Sequence, residues 1–412
     1  MEPPAHVTIL VCHNHYQIRA GEDQVFAAEV ALLRAHGQRV VTYTRDNAEI
    51  TAMPFWRRLW SFCAAFYNPR TVRELRALVA REKPDVAQVH NVFPLISPAL
   101  YWTLRRAGVP LVQTMHNFRF VCINGLLFRD GTICHDCLTG SRWAGVRRQC
   151  YRASRLCSLW YALILWWHQR RGTFTRTIDR YIALNSFTKN ILVDAGFDAA
   201  RIIVKPNAAT VTPDAAAAPP PAAPYALFIG RLSQEKGVMT LLAAAVRVPE
   251  LPLQIMGDGP LAAQARAFVA QAGATHIEFK GYCTQAHIAA ALAQALVLVF
   301  PSECYENCPM TVINALTLGT PVVAARTGGV PDFVPEGRAG WLFPPGDVAA
   351  LAARMAWVAA HADDVRTLRP HAQAWAATYF TPQQNYERLL QVYAAARPGA
   401  RATRAARSTP QQ

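Results

Sequence analysis

Short strand-like runs alternate with helical stretches along the whole chain, and this alternation limits the fold more than any other feature. The runs are rich in Val, Ile, Leu and Phe, and they cover residues 7–12, 39–44, 86–91, 110–116, 180–184, 225–230, 251–257, 276–281, 295–300 and 320–325. Apolar strands that alternate with helices are typical of parallel sheets with helices on both faces. The sequence therefore predicts an α/β protein.

A segment rich in Ala and Pro, NAATVTPDAAAAPPPAAP at residues 207–224, interrupts this alternation near the middle of the chain. It lacks apolar periodicity, so we interpret it as an extended linker. A chain of 412 residues with 52% hydrophobic content also exceeds one ordinary core. The predicted units are an N-terminal domain (1–207), a linker (208–224), a C-terminal domain (225–380), a closing helix that packs back on the N-terminal domain (381–396) and a disordered basic tail (397–412).

Positive charge is concentrated in the first half of the chain. Residues 1–210 hold 27 Lys and Arg against 14 Asp and Glu, whereas the remainder holds 15 against 13. A basic face suits nucleic acid, anionic lipid or a phosphorylated substrate, and it also occurs as a plain solvated surface, so the sign of the charge does not choose among them. A nucleic-acid-binding protein would account for the net charge of +15, but no recognition motif is present. We therefore expect no nucleic-acid partner.

The apolar segments are too short to span a membrane. The longest run, Leu159 to Trp167, has about half the length that a spanning helix needs, and the N-terminus lacks the basic-then-apolar order of a signal peptide. We expect a cytoplasmic protein. Residues 54–70 and 154–171 mix aromatic, aliphatic and arginine residues and could lie at a bilayer interface, although the second segment is more typical of a buried helix. Peripheral contact with the inner face of the membrane therefore stays open.

One turn in the second half carries two cations. The strand-like run 225–230 leads into GRLSQEKGV, which contains Arg231 and Lys236 and precedes an apolar helix. Ligands of parallel α/β sheets bind at the carboxyl ends of strands, where helix N-termini offer N–H groups to anions. Two cations at such an end predict a site for a phosphate chain. A second turn, GDGP, follows the next strand and contains Gly257, but it is a weak signal alone.

A cluster of carboxylates and amides follows another strand of the second half. The run 295–300 stops at Pro301, and a helix that starts near Pro309 is stopped by Gly319. The polar residues between and within these elements are Ser302, Glu303, Glu306, Asn307 and, eight residues after Glu306, Asn314. Carboxylates accept hydrogen bonds from vicinal hydroxyls such as those of sugars and ribose. Together with Arg231 and Lys236, this cluster predicts a pocket for a nucleotide sugar.

Several motifs in order along nearly the whole chain resemble the family-4 retaining glycosyltransferases of GT-B fold. They are AGEDQVF, HNVFPLISP, QTMHNFRFVCINGLLFRDGTICHDC, RYIALNSFTKNIL, VKPNAA, GRLSQEKGV, GDGP and PSECYENCPMTVINALTLGTPVV followed by GGVPDFV. The resemblance implies two Rossmann-like domains that face a cleft, the first on the acceptor side and the second binding the nucleotide sugar. It also implies sugar transfer from a nucleotide-diphosphate donor to a glycan or lipid-linked acceptor, as in cell-surface polysaccharide synthesis.

The resemblance also assigns roles to residues. It implies that Arg231 and Lys236 bind the donor diphosphate, that Glu306 faces the donor sugar and that His116, after the strand 110–116, lies near the transferred sugar. Glu306 and His116 are therefore the candidate catalytic residues. The further candidates on the donor side are Asn307, Asn314, Gly257 and Gly21, the last of which permits close backbone approach to donor or acceptor.

Asn314 is a departure from the family pattern. The family usually has a Glu at this position that holds the ribose hydroxyls, and Asn brings no charge. Because a charge-assisted hydrogen bond is typically about twice as strong as a neutral one, donor affinity or nucleotide preference should differ from the family norm.

Catalysis is expected to need no metal or cofactor. The chain has no Asp-x-Asp motif, so Arg231, Lys236 and nearby helix N-termini would neutralise the leaving diphosphate. A nucleotide-sugar epimerase on the same architecture is the nearest alternative, because it would share the diphosphate pocket but would need general acid/base pairs.

The cysteines allow two interpretations. The chain has ten, and four fall in one loop-rich stretch: Cys122, Cys134, Cys137 and Cys150, with CHDC at residues 134–137. Without an export signal, thiols or a metal site are favoured over disulfides. Four thiolates could hold a structural zinc ion, and inert thiols are the alternative.

Overall fold

A computed structural model describes residues 6–17, 21–212 and 224–397. Its first half contains β1 (Thr8–His15), α1 (Gly21–Ala35), β2 (Arg39–Asp46), α2 (Ala48–Ala52), α3 (Phe55–Ala64), α4 (Pro69–Glu82), β3 (Val86–Val89), α5 (Ala99–Arg106), β4 (Leu111–Met115), β5 (Phe128–Arg129), β6 (Thr132–Ile133), α6 (Asp136–Thr139), α7 (Trp143–Arg147), α8 (Arg155–Arg170), α9 (Thr173–Arg176), β7 (Arg180–Ala183), α10 (Ser186–Asp194) and β8 (Ile202–Val204).

The second half contains β9 (Ala226–Ile229), α11 (Val238–Ala245), β10 (Leu253–Met256), α12 (Ala262–Gln271), β11 (Ile277–Gly281), α13 (Gln285–Gln294), β12 (Val297–Phe300), α14 (Met310–Thr317), β13 (Val322–Ala325), α15 (Val330–Phe333), β14 (Gly340–Phe343), α16 (Val348–Ala360), α17 (Ala362–Thr367), α18 (Arg369–Tyr379) and α19 (Pro382–Ala396). Short 3₁₀ helices cover Ala199–Arg201 and Gln234–Lys236.

Each half forms one six-stranded parallel sheet. The strand orders are β2-β1-β3-β4-β7-β8 and β11-β10-β9-β12-β13-β14. In each sheet, the chain adds strands first toward one edge and then toward the other. This change occurs between β1 and β3 in the first sheet and between β9 and β12 in the second. In open parallel sheets such a reversal leaves a crevice at the carboxyl ends of the strands. The second-half segments with the predicted site residues, after β9 and β12, therefore start from neighbouring strands.

The sheets are buried on both faces. In β1, Leu10 and Cys12 pack into one apolar cluster while Ile9 and Val11 pack into another on the opposite face, as the alternation of side chains along a strand requires. This two-sided burial explains why the strands are apolar along their whole length. All ten predicted strand runs contain a strand.

Helix α19 follows the second half but packs against the first. Tyr386, Leu389, Val392 and Tyr393 lie in the apolar cluster with β1 and α1. The Tyr386 hydroxyl accepts a hydrogen bond from Gln38 Nε2 at 2.8 Å. The chain therefore crosses back to the first sheet at its end. Of the predicted linker, residues 213–223 lie outside the described residues, as do residues 398–412 of the predicted tail.

Helix α8 contains the longest apolar run of the sequence. It buries Tyr161, Ile164 and Leu165, while Trp166 and Trp167 stay 43% and 41% exposed. The segment is therefore largely a core helix of the first half.

Over residues 6–17, 21–212 and 224–397, the structure contains no helix with the length and apolar character needed to cross a membrane.

Candidate active site

The segments after β9 and β12 bring the predicted cation and carboxylate together. Lys236 Nζ lies 2.6 Å from Glu306 Oε1, and Ser302 Oγ donates to the same oxygen at 2.6 Å. Burial disfavours the charged lysine, but the Glu306 carboxylate outweighs this effect and raises the pKa of Lys236 above its usual range. Lys236 and Glu306 are therefore a charged pair at the switch point of the second sheet.

The loop between β9 and α11 contacts the loop between β12 and α14. The Glu303 N–H donates to the Glu235 carbonyl at 3.0 Å, and Ser302 Oγ lies 3.1 Å from the same carbonyl. Glu303 Oε1 accepts from Thr240 Oγ1, in the first turn of α11, at 2.6 Å. Glu303 is thus occupied within the second half, which leaves Glu306 as the carboxylate on the cation.

Arg231 lies at the same strand end with an exposed side chain. Its guanidinium makes no hydrogen bond or ion pair within the described part of the chain. It is therefore a cation available to an anionic ligand, next to the N-terminus of α11. Contact between a donor diphosphate and Arg231 or Lys236 stays a prediction.

Gly257 and Gly21 differ in what surrounds them. Gly257 has φ of +140°, and a Cβ added there would lie 1.9 Å from the Gly230 carbonyl oxygen. Only glycine fits that contact, so its packing against the turn with Arg231 accounts for the residue. A Cβ added at Gly21 would meet nothing within 4 Å. Packing therefore does not explain Gly21, and open space lies beside it.

Asn307 connects the two halves. Its Nδ2 donates to the His116 carbonyl at 2.9 Å, and its Oδ1 accepts from Thr188 Oγ1 at 3.0 Å. Its carbonyl also accepts from Asn185 Nδ2. The sequence predicted a donor contact for Asn307, but both ends of its amide are occupied by the first half. This residue places the loop with Glu306 against the strand end with His116.

Other contacts hold the same junction. The Ser186 backbone N–H and Oγ donate to Asp332 Oδ2 at 2.7 and 2.6 Å. His135 Nε2 lies 2.9 Å from the Tyr305 hydroxyl, and the two rings stack. The residue pairs come from distant parts of the chain, so sequence analysis did not find them.

His116 contacts a row of buried polar groups behind it. His116 Nε2 lies 2.8 Å from His90 Nδ1. His90 Nε2 lies 3.4 Å from Glu29 Oε2, and Glu29 Oε1 accepts from Lys205 Nζ at 2.9 Å. Burial first, and His90 next, hold the pKa of His116 well below its usual range, so the ring is neutral near pH 7.

This row also favours one tautomer of His116. His90 Nε2 makes no hydrogen bond within the described part of the chain, but the negative charge of the Glu29 carboxylate 3.4 Å away favours a proton on this nitrogen. His90 Nδ1 then accepts from His116 Nε2, which leaves His116 Nδ1 as a hydrogen-bond acceptor. A neutral acceptor of this kind suits a sugar hydroxyl better than an anionic phosphate.

Asn314 contacts the chain that leaves the first half. It is buried on α14, where its Oδ1 accepts from the Thr210 N–H at 3.0 Å and its Nδ2 donates to Thr210 Oγ1 at 2.9 Å. Both ends of the amide that the sequence assigned to the donor ribose therefore bind Thr210. The amide keeps one N–H and one oxygen lone pair, so a ribose contact would need access to this 7% exposed side chain.

The four cysteines proposed for zinc do not assemble. Among the described residues, no three of Cys122, Cys134, Cys137 and Cys150 bring their sulfur atoms within 4.8 Å of one another. Cys122 and Cys137 do meet, and a hydrogen bond from the Cys137 thiol lowers the pKa of Cys122 below its usual range. All four are free thiols. This arrangement does not fit a tetrahedral four-thiolate zinc site.

A cavity of about 280 Å³ opens at the carboxyl edge of the first sheet. Its walls include Tyr16, Glu22, His116 and Arg119 from the first half and Cys308 and Met310 from the second. Sequence analysis selected His116 but missed Glu22, Tyr16 and Arg119. The signal for Glu22 was its place in AGEDQVF, directly after Gly21.

Two family models match the chain. The model described as "Glycosyl transferase 4-like domain" matches residues 15–208, and the model described as "Glycosyl transferases group 1" matches residues 223–361. Together they take in most of both halves, in the order in which the two sheets occur. The chain belongs to the group 1, family-4 glycosyltransferases.

The relatives of this glycosyltransferase differ in identity and in how much of the chain they match. It is 36% identical over 131 residues to the sulfoquinovosyl transferase SQD2 of Arabidopsis thaliana, a match that covers 31% of this chain and 25% of that protein. It is 26% identical over 368 residues to the phosphatidyl-myo-inositol mannosyltransferase of Mycobacterium leprae, covering 83% of this chain and 84% of that protein. The chain thus spans only a quarter of the first relative and most of the second.

A solved structure shows the fold of this glycosyltransferase. HepE of Anabaena, in complex with UDP, superimposes with a TM-score of 0.67 over 94% of this chain and 100% of HepE, at 17% identity. The predicted architecture, GT-B with two parallel-sheet α/β domains, is confirmed by this likeness and by the two sheets described above.

The family pattern gives a test at position 314. We expect Asn314→Glu to tighten binding of the nucleoside diphosphate by about 0.5–1.5 kcal/mol, the range for one improved hydrogen bond, with little change in kcat. The longer carboxylate would displace Thr210 and face the ribose. Thr210→Ala is the control, because it removes the partner hydroxyl without adding charge. Weaker binding by a folded Asn314→Glu variant, measured calorimetrically, would show that the pocket is built around the amide.

Proposed function

We propose that the chain is a retaining hexosyltransferase that moves a sugar from a nucleotide-diphosphate donor to a glycan or lipid-linked acceptor in cell-surface polysaccharide synthesis. The observation that carries the proposal is the Lys236–Glu306 pair at the switch point of the second sheet. The loop with Glu306 continues through Cys308 into the wall of the cavity beside His116. Donor and acceptor would therefore meet between the two sheets.

Residues of the chain can supply the charge stabilisation that transfer needs. Negative charge develops on the leaving diphosphate, where Lys236, Arg231 and the N-terminus of α11 would oppose it. Glu306 and the neutral His116 would receive hydroxyl groups of the donor sugar. No step of this scheme requires a metal ion.

The known proteins suggest which donor and acceptor to test first. HepE has been solved in complex with UDP and with UDP-glucose. The name of the mycobacterial relative describes mannosyl transfer to a phosphatidylinositol. These names support a UDP-sugar donor and a lipid-linked acceptor for this chain.

The decisive experiment is a donor screen followed by product analysis. We expect one of the UDP-, GDP-, ADP- or dTDP-sugars to raise the melting temperature. With that donor, transfer should survive excess EDTA and give a product with the anomeric configuration of the donor. Loss of transfer that Mg²⁺ restores would contradict metal-independent catalysis, and an inverted product would contradict retention. Formation of an epimer of the donor sugar without transfer would indicate the epimerase instead.

We also propose that an aromatic surface of the first half contacts an anionic bilayer. Phe55, Trp56 and Trp60 of α3 are 80%, 63% and 52% exposed. Trp160 of α8 donates its indole N–H to the Phe62 carbonyl at 2.8 Å, which fixes α3 beside the start of α8. Exposed aromatic residues on a basic half suit a lipid interface. A lipid-linked acceptor would make this contact useful.

Vesicle binding tests the aromatic surface. We expect the protein to float with phosphatidylglycerol vesicles and less with phosphatidylcholine vesicles. The Phe55→Ser/Trp56→Ser variant should lose at least tenfold in affinity while its transfer to a water-soluble acceptor is unchanged. Tyr282→Ser is the matched control, because Tyr282 is an 89% exposed aromatic residue in the second half. Equal flotation of the double variant and the wild type would refute the contact.

A further inference from the structure

Glu22 stands out among the residues that line the cavity. It lies in the first turn of α1, directly after Gly21, and forms part of the cavity wall with His116. Gly21, a donor-side candidate, and His116 share this cavity, whereas Lys236 and Glu306 lie at the ends of β9 and β12. Glu22 belongs to the first half, which the family resemblance assigns to the acceptor side of the cleft.

Within the described part of the chain, only one oxygen of Glu22 accepts a hydrogen bond. Oε2 accepts from the Tyr16 hydroxyl at 2.8 Å and from Asn117 Nδ2 at 3.4 Å. Oε1 is buried and has no hydrogen-bond partner among the described residues. A buried carboxylate oxygen without a partner is costly, so proteins rarely leave one without a reason. A ligand hydroxyl would satisfy it.

Several neighbouring groups act on the pKa of Glu22 in opposite directions. The pKa of Glu22 is raised to about 7, mainly by burial and in small part by the charge of Asp23. Hydrogen bonds from Tyr16 and Asn117 and the charge of Arg119 lower this pKa and so limit the rise. Besides Tyr16 and Arg119, the titratable groups that line the cavity with Glu22 are His116, which is neutral, and Cys308, whose pKa burial raises to about 12. Glu22 is thus a neutral acid below about pH 7 and a carboxylate above it.

We propose that Glu22 positions the acceptor, with its free oxygen accepting a hydrogen bond from the hydroxyl that receives the sugar. This inference rests on the proposed function and names a residue of the acceptor site. Because a protonated acid no longer offers two accepting oxygens, use of the acceptor should increase as the pH rises through the pKa of Glu22.

The test uses hydrolysis of the donor, in which water takes the place of the acceptor. UDP-glucose is the probe, or the nucleotide sugar that the donor screen selects. In the full-length Glu22→Gln variant we expect donor Kd within twofold of wild type, at least tenfold slower hydrolysis at pH 8, and no rate change across pH 7. In the Tyr16→Phe variant, the fall of the hydrolysis rate at acidic pH, which is the acidic limb of the pH–rate profile, should move to higher pH, because the substitution removes a hydrogen bond that lowers the pKa of Glu22. A merely structural role of Glu22 would not shift this limb.

The control is Glu387→Gln, an exposed carboxylate of α19 that should change neither rate nor profile. If the wild type binds no nucleotide sugar, the proposed function fails and takes this inference with it. If the wild type binds and hydrolyses the donor but Glu22→Gln keeps either the rate or the pH profile, this inference alone is overturned. A wild-type profile without an acidic limb near pH 7 also overturns it.

Discussion

Lys236→Ala should reduce sugar transfer at least a hundredfold in a protein that remains folded. Lys236 is the cation paired with Glu306, and removal of one group that stabilises transition-state charge typically costs about 3 kcal/mol, or about a hundredfold in rate. Because the pKa of Lys236 is raised above its usual range, the lysine stays charged over any practical assay range. The loss should therefore be the same at pH 6 and pH 9.

The measurement is kcat and kcat/KM with saturating acceptor. Lys280→Ala is the matched control, since Lys280 also pairs with a glutamate at 2.6 Å but on the surface of β11. Alanine leaves the 12% exposed Glu306 without its partner, which can destabilise the protein. Lys236→Gln keeps a hydrogen-bond donor near Glu306 and separates lost charge from lost folding. Near-normal turnover of a folded variant would remove Lys236 from the mechanism.

The fold followed from the sequence because buried parallel strands are apolar on both faces. The strands missed were those with weaker patterns. β8 has three residues at the edge of its sheet, with Val204 40% exposed, and β14 begins with Gly340. A three-residue run such as that of β8 gives too short a pattern to separate from a loop. The α/β class did not depend on them.

The candidate site was predictable only where it is local. The short distance between Lys236 and Glu306 follows from two strand-to-helix turns on neighbouring strands, which motif and topology together indicate. The partners of Asn307 and Asn314 do not follow, because His116 and Thr210 lie 191 and 104 residues away. Residue spacing carries no information about such contacts. From the sequence, the amides of Asn307 and Asn314 therefore looked free to bind a ligand, whereas in the structure they bind other residues of the chain.

The cysteines show the opposite case, in which a local spacing suggests a site whose thiols do not come together in the described part of the chain. CHDC places Cys134 and Cys137 at a ligand spacing, but His135 between them lies against Tyr305 of the other half. Cys137 instead meets Cys122. Spacing permits a metal site, and only the three-dimensional direction of each thiol decides whether it forms.

Glu306→Gln should lower kcat at least thirtyfold while donor Kd changes little. Glutamine has nearly the same shape and still offers an oxygen to Ser302 Oγ, so the loop should keep its position. The variant loses the negative charge, and a hydrogen bond to a charged group contributes about 2 kcal/mol, which corresponds to about thirtyfold in rate. Only a contact that strengthens in the transition state lowers kcat without weakening binding.

Glu303→Gln is the matched control for this prediction, because Glu303 lies in the same loop with its carboxylate bound to Thr240 in the first turn of α11. It should reduce kcat much less than Glu306→Gln, since its contact stays within the second half. Rapid-quench turnover and calorimetric donor binding on both variants separate kcat from Kd. Equal losses of kcat in the Glu303→Gln and Glu306→Gln variants would mean that the loop needs its carboxylates for folding alone. Weaker donor binding without a loss of kcat would mean that Glu306 contributes to binding of the donor and not to the reaction of its sugar.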